Sequence, residues 1–172
     1  LYEGCKVTVL PEVDPAEILR LIEDEKVNLL FMVPAVILFV MQQPDIATRD
    51  VSSVRQVIYG ASPIAEELLV QAAAKFKCDF VQVYGLTETT GGGTNLKPED
   101  HDAARNKLRS CGKPNAGVEL RIVDEAGNDV PQGEVGEIIM RGGSIMKGYW
   151  NKPNATTEAV KDGWFYSGDA GF

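Results

Sequence analysis

The sequence contains few of the residues from which zinc sites, serine-type triads and disulfide frameworks are built. Its 172 residues include one histidine, His101, and three widely separated cysteines, Cys5, Cys78 and Cys111. An odd number of distant cysteines forms neither a zinc-ligand pattern nor a disulfide set, which favours a reducing cytoplasmic location. A single histidine in a polar stretch also argues against a catalytic triad built from this chain alone.

Basic residues are outnumbered by acidic ones. Seventeen Lys and Arg stand against 25 Asp and Glu, so the net charge is −8. Proteins that bind nucleic acids hold the phosphate backbone with clustered Lys and Arg, so this balance argues against a nucleic-acid partner. A small anion such as ATP remains compatible with the sequence, because a few backbone N–H groups and one cation can hold its phosphates.

No hydrophobic run is long enough to cross a bilayer. The most apolar stretch, residues 27–41, is interrupted by Asn28 and Pro34, whereas a transmembrane helix takes roughly 20 apolar residues. The stretch is typical of a buried strand followed by a core helix. No signal peptide is recognised, and homo-oligomerisation stays open. Leu1 and Phe172 look like cut ends, so we expect a fragment.

The first part of the chain alternates strand and helix patterns, which predicts a parallel sheet flanked by helices. Asp14 and Pro15 predict a capped helix start, and Ser62 with Pro63 predicts another, ahead of Glu66 and Glu67 in the first turn. Strands are predicted at 6–10, 28–33, 54–59 and 79–84. One helix is predicted to begin at Pro15, and two more at 34–42 and 63–77.

The second part of the chain predicts a small β-rich, barrel-like subdomain. Short apolar segments separated by turn residues give strands at 118–124, 136–141 and 164–166, with a short helix at 153–160. The predicted division is an α/β subdomain at 1–108 and a β-rich subdomain at 109–172.

Two glycine-containing loops follow neighbouring predicted strands, at residues 60–63 and 85–88. Ligands of open α/β sheets bind outside the carboxyl ends of the strands. Tyr84 offers a flat ring for a purine, and Gly85 permits close backbone approach. Thr87 can donate to a phosphate, and Glu88 is a hard oxygen ligand suited to Mg²⁺. The alternative is a plain strand–turn in which Thr87 caps a helix.

Residues 83–89 resemble the adenine- and magnesium-binding motif of the adenylate-forming superfamily, which contains acyl-CoA synthetases, adenylation domains and luciferases. Residues 60–63 look like its upstream Gly-x-x-Pro loop. Residues 136–138 with 148–153 are similar to its Gly-Glu and Gly-Tyr-x-x-x-Pro segment, and 164–169 resemble its Ser/Thr-Gly-Asp motif. Four motifs in the family's order cover nearly the whole chain, which makes the resemblance specific.

The resemblance implies a role for each matching residue. Tyr84 would stack on adenine, and Gly85 would belong to the nucleotide-binding loop. Thr87 would contact the α-phosphate, Glu88 the Mg²⁺ ion and Asp169 the ribose hydroxyls, with Thr87 and Glu88 as the catalytic pair. The opposite wall of the adenine pocket would consist of Gly60, Ala61 and Ser62. For Asp169 the alternative is a loop acid after a glycine turn.

Gly91, Gly92 and Gly93 fall where the family's acyl-binding pocket lies. Glycines there would leave room for an acyl chain. A flexible loop without ligand contact is the alternative for these three residues.

The implied activity is ATP-dependent activation of a carboxylic acid and transfer of the acyl group to CoA. Leu86 with Thr89 favours a fatty-acyl or related CoA ligase. Alternatives are an adenylation domain that loads a carrier protein and a non-catalytic nucleotide-binding relative; a Rossmann site lacks its Gly-x-Gly-x-x-Gly. The family's phosphate loop and small C-terminal domain are absent from these residues, so we expect the fragment alone to be inactive.

Overall fold

The computed structural model describes residues 4–172 and divides the chain into two compact units. Unit 1 comprises the residues up to Val81 together with His101–Arg109, and unit 2 comprises Gln82–Asp100 with Ser110–Phe172. The interpretation of Leu1 as a cut end within a structured segment lies outside the described residues. The predicted division at residues 108 and 109 stays a prediction.

Unit 1 is built from alternating helices and strands, as the sequence predicts. Strands β1 (Leu29–Met32) and β2 (Gln56–Gly60) pair in parallel. Strand β3 (Asp79–Tyr84) starts beside β2, where the Asp79 N–H donates to the Arg55 carbonyl at 3.1 Å. The helices are α1 (Pro15–Glu25), α2 (Pro34–Met41) and α3 (Glu66–Phe76).

Helix α1 shows why the local sequence folds as it does. The Asp14 carboxylate accepts hydrogen bonds from the Ala16 and Glu17 amides at 3.0 and 3.1 Å, which satisfies two of the otherwise unpaired N–H groups at the helix start. Leu19 and Ile22, one turn apart, are fully buried. They join a core that also contains Ile37, Val57 and Phe76.

Two local predictions in unit 1 are wrong. Residues 6–10 form no strand, and Val7 and Val9 remain 57% and 81% exposed because neither face is covered. Ser62 caps no helix: the chain turns at Ala61 (φ 66°) and stays non-helical until Ala65, the residue before α3. The predicted Glu66 and Glu67 do occupy the first turn of α3.

Unit 2 contains two antiparallel arrangements. The end of β3 pairs with β4 (Thr94–Leu96), which pairs with β5 (Lys113–Pro114). A second sheet has the order β6–β7–β9–β8. Its strands are β6 (Val118–Val123), β7 (Gly136–Gly142), β8 (Val160–Lys161) and β9 (Trp164–Gly171), and α4 (Pro153–Ala159) precedes β8.

The predicted fold class is confirmed: a mixed α/β part with a partly parallel sheet is followed by a four-stranded antiparallel half-barrel. Strands β4, β5 and β8 were not predicted, since each has only two or three residues and too short a pattern to show alternation. Within residues 4–172, no helix is long and apolar enough to cross a membrane.

Candidate functional site

The predicted nucleotide motif forms a closed loop at the end of β3. Tyr84 is the last residue of β3 and pairs with Thr94 of β4. The Gly93 amide donates to the Tyr84 carbonyl at 2.9 Å, so the loop 85–93 begins and ends at the same point of the sheet. The carboxyl end of β3 therefore presents loop 85–93 as a compact unit.

A buried threonine fixes the inside of this loop. Thr89 is fully buried, and its Oγ1 accepts from the Leu86 amide at 2.9 Å and donates to the Leu86 carbonyl at 3.0 Å. Residues Thr87–Thr89 form a short 3-10 helix in which Thr87 is the first residue and not its cap. Thr87 is exposed and Glu88 is half-exposed. This role of Thr89 was not predicted from the sequence. The pattern that could have indicated it is a threonine three residues after Leu86, because such a hydroxyl can bond the backbone of the residue that starts a turn.

Gly85 is required by a backbone contact. A Cβ atom at this position would lie 2.7 Å from the Gly91 carbonyl carbon and 2.9 Å from the Gly92 nitrogen. Real side chains are not found this close to backbone, so any other residue would force the loop open. The close approach that Gly85 permits is therefore the approach of the Gly91 and Gly92 backbone within the same loop.

Glu88 is tied to the segment that precedes α4. The Tyr149 hydroxyl donates to Glu88 Oε1 at 2.7 Å, and the Met146 amide donates to the Glu88 carbonyl at 2.7 Å. The hydrogen bond to Glu88 raises the pKa of Tyr149, so its hydroxyl remains a donor at neutral pH. This bond occupies Oε1 of the Glu88 carboxylate. The Gly-Tyr motif found in the sequence is thereby connected to the predicted metal ligand.

The Ser-Gly-Asp motif forms a bulge in the ladder between β7 and β9. Pairing shifts from Ile139↔Tyr166 to Glu137↔Ala170, so three residues of β9 stand opposite one residue of β7. Three hydrogen bonds hold the bulge: Ser167 Oγ to the Ile138 carbonyl at 2.6 Å, the Gly168 amide to Glu137 Oε1 at 2.9 Å, and the Asp169 amide to Ser167 Oγ at 3.1 Å.

This bulge explains two further features of the motifs. Gly168 adopts φ 75°, a conformation that favours glycine. Glu137, the acid of the predicted Gly-Glu motif, accepts the Gly168 amide and so shapes the turn on which Asp169 stands. Asp169 itself is exposed.

Tyr84 and Asp169 are brought into direct contact. The Tyr84 hydroxyl donates to Asp169 Oδ2 at 2.7 Å, across 85 residues of sequence. Burial, together with the hydrogen bond to Asp169, raises the pKa of Tyr84, so the hydroxyl stays protonated and donates. Unit 2 therefore joins the predicted motifs at 83–89 and 164–169, and this contact was not predicted from the sequence.

The acidic side chains of this region suit a partial metal site only. Among residues 4–172, no group of three or more His, Cys, Asp or Glu side chains is arranged to hold a metal ion. Glu88 contributes one carboxylate, with Oε1 occupied by Tyr149. This donor set fits Mg²⁺, which commonly takes one or two protein carboxylates and completes its shell with phosphate oxygens and water.

The remaining predicted site residues have different surroundings. Gly60 of unit 1 is buried, whereas Ala61 and Ser62 are exposed, and their contact with adenine stays a prediction. In unit 2, a Cβ on Gly93 would lie 2.7 Å from Met140 Sδ, so packing within the unit accounts for this glycine. Gly91 is exposed with φ 75°, and Gly92 is half-buried. A role of Gly91, Gly92 and Gly93 in an acyl pocket also stays a prediction.

Comparison with known proteins identifies relatives along almost the whole chain. It is 41% identical over 169 residues to the medium/long-chain-fatty-acid–CoA ligase FadD8 of Mycobacterium tuberculosis, which covers 98% of this chain and 29% of FadD8. It is 33% identical to the fatty acid–[acyl-carrier-protein] ligase ScoC of Streptomyces coeruleorubidus (98% of this chain, 33% of ScoC). It is 36% identical to the indoleacetate–CoA ligase of Aromatoleum aromaticum (99% and 33%). The chain thus spans about a third of the length of these relatives.

The structural comparison agrees with the sequence comparison. The N-terminal domain of FACL13 from Mycobacterium tuberculosis superposes with a TM-score of 0.83 at 35% identity, covering 94% of this chain and 39% of that domain. The family profile described as AMP-binding enzyme matches residues 1–150. The chain therefore belongs to the adenylate-forming, AMP-binding enzyme family.

Proposed function

We propose that this chain carries the adenine-, ribose- and metal-binding part of an ATP-dependent acyl-CoA ligase. The observation that supports the proposal most strongly is the 2.7 Å hydrogen bond between Tyr84 and Asp169, which places the predicted adenine residue beside the predicted ribose residue. The two residues belong to family motifs that lie 85 residues apart in the sequence.

Each side chain has a role that its surroundings allow. The half-buried Tyr84 ring provides a flat surface for adenine. Asp169 is exposed and keeps Oδ1 available to accept from the ribose hydroxyls. Thr87 is exposed on the 3-10 helix, where its hydroxyl can donate to the α-phosphate. Gly85 allows the tight loop that presents Thr87 and Glu88.

Glu88 is the proposed ligand of Mg²⁺. Bound there with the phosphates, Mg²⁺ would neutralise negative charge that develops as the phosphate bond breaks. The contribution of this chain is to hold Glu88 in place: the Tyr149 hydroxyl donates to its carboxylate, and the Met146 amide donates to its backbone carbonyl.

The proposed reaction has two steps. In the first, an oxygen of the substrate carboxylate forms a bond to the α-phosphorus of ATP, and the bond to pyrophosphate breaks. In the second, the CoA thiol, losing its proton, attacks the acyl carbon and AMP leaves. Attack at phosphorus requires mainly positioning and charge neutralisation, so no side chain of this chain needs to act as a covalent nucleophile.

We propose a fatty acid as the substrate and CoA as the acyl acceptor. The 41% identity to a ligase named for medium- and long-chain fatty acids supports this assignment. The relatives named for indoleacetate and for an acyl-carrier protein mark the two alternatives, an aromatic acid and a carrier-protein acceptor. Because the chain spans about a third of these relatives, we expect residues 1–172 alone to be catalytically inactive.

Exchange of labelled pyrophosphate into ATP by the full-length protein tests the proposal. The acids are a fatty-acid series, aromatic acids and amino acids, and the acceptors offered afterwards are CoA and a holo-carrier protein. We expect exchange with fatty acids and acyl transfer to CoA. Exchange with amino acids only would contradict the substrate class, and transfer only to the carrier protein would favour the second acceptor.

A further inference from the structure

We propose that the Tyr84 hydroxyl is a positioning group for Asp169 and thereby sets how strongly the site recognises ribose hydroxyls. This gives Tyr84 a function separate from the stacking of its ring on adenine. The inference rests on the proposed nucleotide site and adds to it a residue that controls one part of the ligand.

The backbone of Asp169 is fixed from within the bulge. Its amide donates to Ser167 Oγ at 3.1 Å, and the neighbouring Gly168 amide donates to Glu137 Oε1 at 2.9 Å. These bonds set where the Cα atom stands but leave the side-chain torsions of Asp169 undetermined. The side chain is exposed, so surrounding atoms do not enclose it.

The bond from Tyr84 determines the direction of the carboxylate. The hydroxyl donates to Oδ2 at 2.7 Å, a length typical of a charge-assisted O–H···O hydrogen bond. A carboxylate has about four acceptor positions, and Tyr84 uses one of them. Oδ1 and a second position on Oδ2 remain for two ribose hydroxyls.

Tyr84 itself is fixed by the packing of its ring and by a backbone hydrogen bond. Its ring packs against the cluster of Ile138, Met140 and Phe165 in the second sheet. Its backbone carbonyl accepts from Gly93, so the residue is anchored at both ends. A rigid donor that holds an exposed acceptor lowers the conformational entropy that the acceptor would lose on binding a ligand.

A positioning role differs in a measurable way from a structural one. If the hydroxyl only stabilised the fold, its removal would weaken the binding of every nucleotide equally. If it orients Asp169, its removal weakens binding only of nucleotides with ribose hydroxyls. Tyr84→Phe keeps the ring for stacking and removes the hydroxyl alone.

The test measures dissociation constants of ATP and 2′,3′-dideoxy-ATP by calorimetry with the full-length protein. The variants are Tyr84→Phe and the matched control Tyr166→Phe, whose hydroxyl lies beside Gly127 in the turn after β6. We expect Tyr84→Phe to weaken ATP binding about 3- to 10-fold, the worth of one such hydrogen bond. Binding of the dideoxy analogue should be unchanged, so the preference for ATP falls by the same factor. Tyr166→Phe should keep the wild-type preference.

Asp169→Asn provides a second variant should Tyr84→Phe fail to fold, as judged by circular dichroism. It retains the shape of the side chain, and we expect the same loss of preference for ATP. A wild-type preference in folded Tyr84→Phe would overturn the inference while the proposed function stands. A wild-type preference in folded Asp169→Asn would overturn the inference together with the assignment of Asp169 to ribose. Absence of ATP binding by the wild type would overturn both the inference and the proposed function.

Discussion

The acidic side chain that we propose as the metal ligand already has a partner. Glu88 Oε1 accepts the Tyr149 hydroxyl at 2.7 Å, a bond that orients the carboxylate. Groups that hydrogen-bond a ligating carboxylate commonly fix its direction and strengthen metal binding. The Gly-Tyr motif of the sequence thus has a physical connection to Glu88.

Tyr149→Phe should therefore raise the Mg²⁺ concentration needed for half-maximal ATP binding by roughly tenfold, the lower end of such effects. The pKa of Tyr149 is raised by Glu88, so its hydroxyl stays protonated and the effect should be equal from about pH 7 to pH 9. Titration of the full-length protein with Mg²⁺ at fixed ATP gives the measurement.

Tyr166→Phe again provides the control for the Mg²⁺ titration and should behave as wild type. An unchanged or lower Mg²⁺ requirement in Tyr149→Phe would mean that this hydroxyl does not orient the metal ligand.

Capped helix starts were predicted at both Asp14 and Ser62, but only Asp14 caps a helix in the structure. Asp14 caps α1 through two amides, whereas Ser62 lies four residues before Glu66, the first residue of α3, and caps nothing. Asp14→Ala should lower the free energy of unfolding by about 1 kcal/mol, and Ser62→Ala should change it by only a few tenths of a kcal/mol. Urea denaturation of the 172-residue chain measures both. Equal losses in the two variants would restore Ser62 as a cap.

The closed loop 85–93 is predicted to require glycine at position 85. A Cβ on Gly85 would lie 2.7 Å from the backbone of Gly91, whereas a Cβ on Gly143 would meet nothing within 4 Å. Gly85→Ala should therefore cost about 1–3 kcal/mol of stability and weaken ATP binding. The matched Gly143→Ala should stay within about 0.5 kcal/mol of wild type. Thermal unfolding with ATP calorimetry distinguishes them, and wild-type behaviour of Gly85→Ala would show that the loop tolerates the contact.

Elements with a strong local signal were predictable from the sequence, and others were not. Strand β3 was predicted with its observed bounds, because its β-rich run alternates with the helical patterns and ends at Gly85. The turn at 60–63 was also predicted, but the left-handed conformation of Ala61 within it was not, because φ 66° is unusual for alanine and has no signal in residue type. Strand β4 was not predicted, because its three residues form a strand only by pairing with β3 and β5.

At the scale of the whole molecule, the motifs could be recognised but not the bonds between them. Ordered motifs predicted which residues belong to the candidate site, since their spacing is a property of the sequence. The contacts Tyr84–Asp169 and Glu88–Tyr149 join residues 85 and 61 positions apart. Only the folded unit determines which hydroxyl meets which carboxylate, so these partners became visible in the structure.

The most direct test of the account is pyrophosphate exchange by the full-length protein carrying Glu88→Gln or Asp169→Asn. Each substitution keeps the side-chain shape and removes the charge that we assign to metal or ribose binding. With a fatty acid as substrate, we expect exchange to fall by at least about tenfold in each variant, while circular dichroism stays as in wild type. The exposed Glu99, in the short 3-10 helix Pro98–Asp100, offers the control Glu99→Gln, which should exchange normally. Wild-type exchange rates in both site variants would contradict the assignment of this site to adenylation.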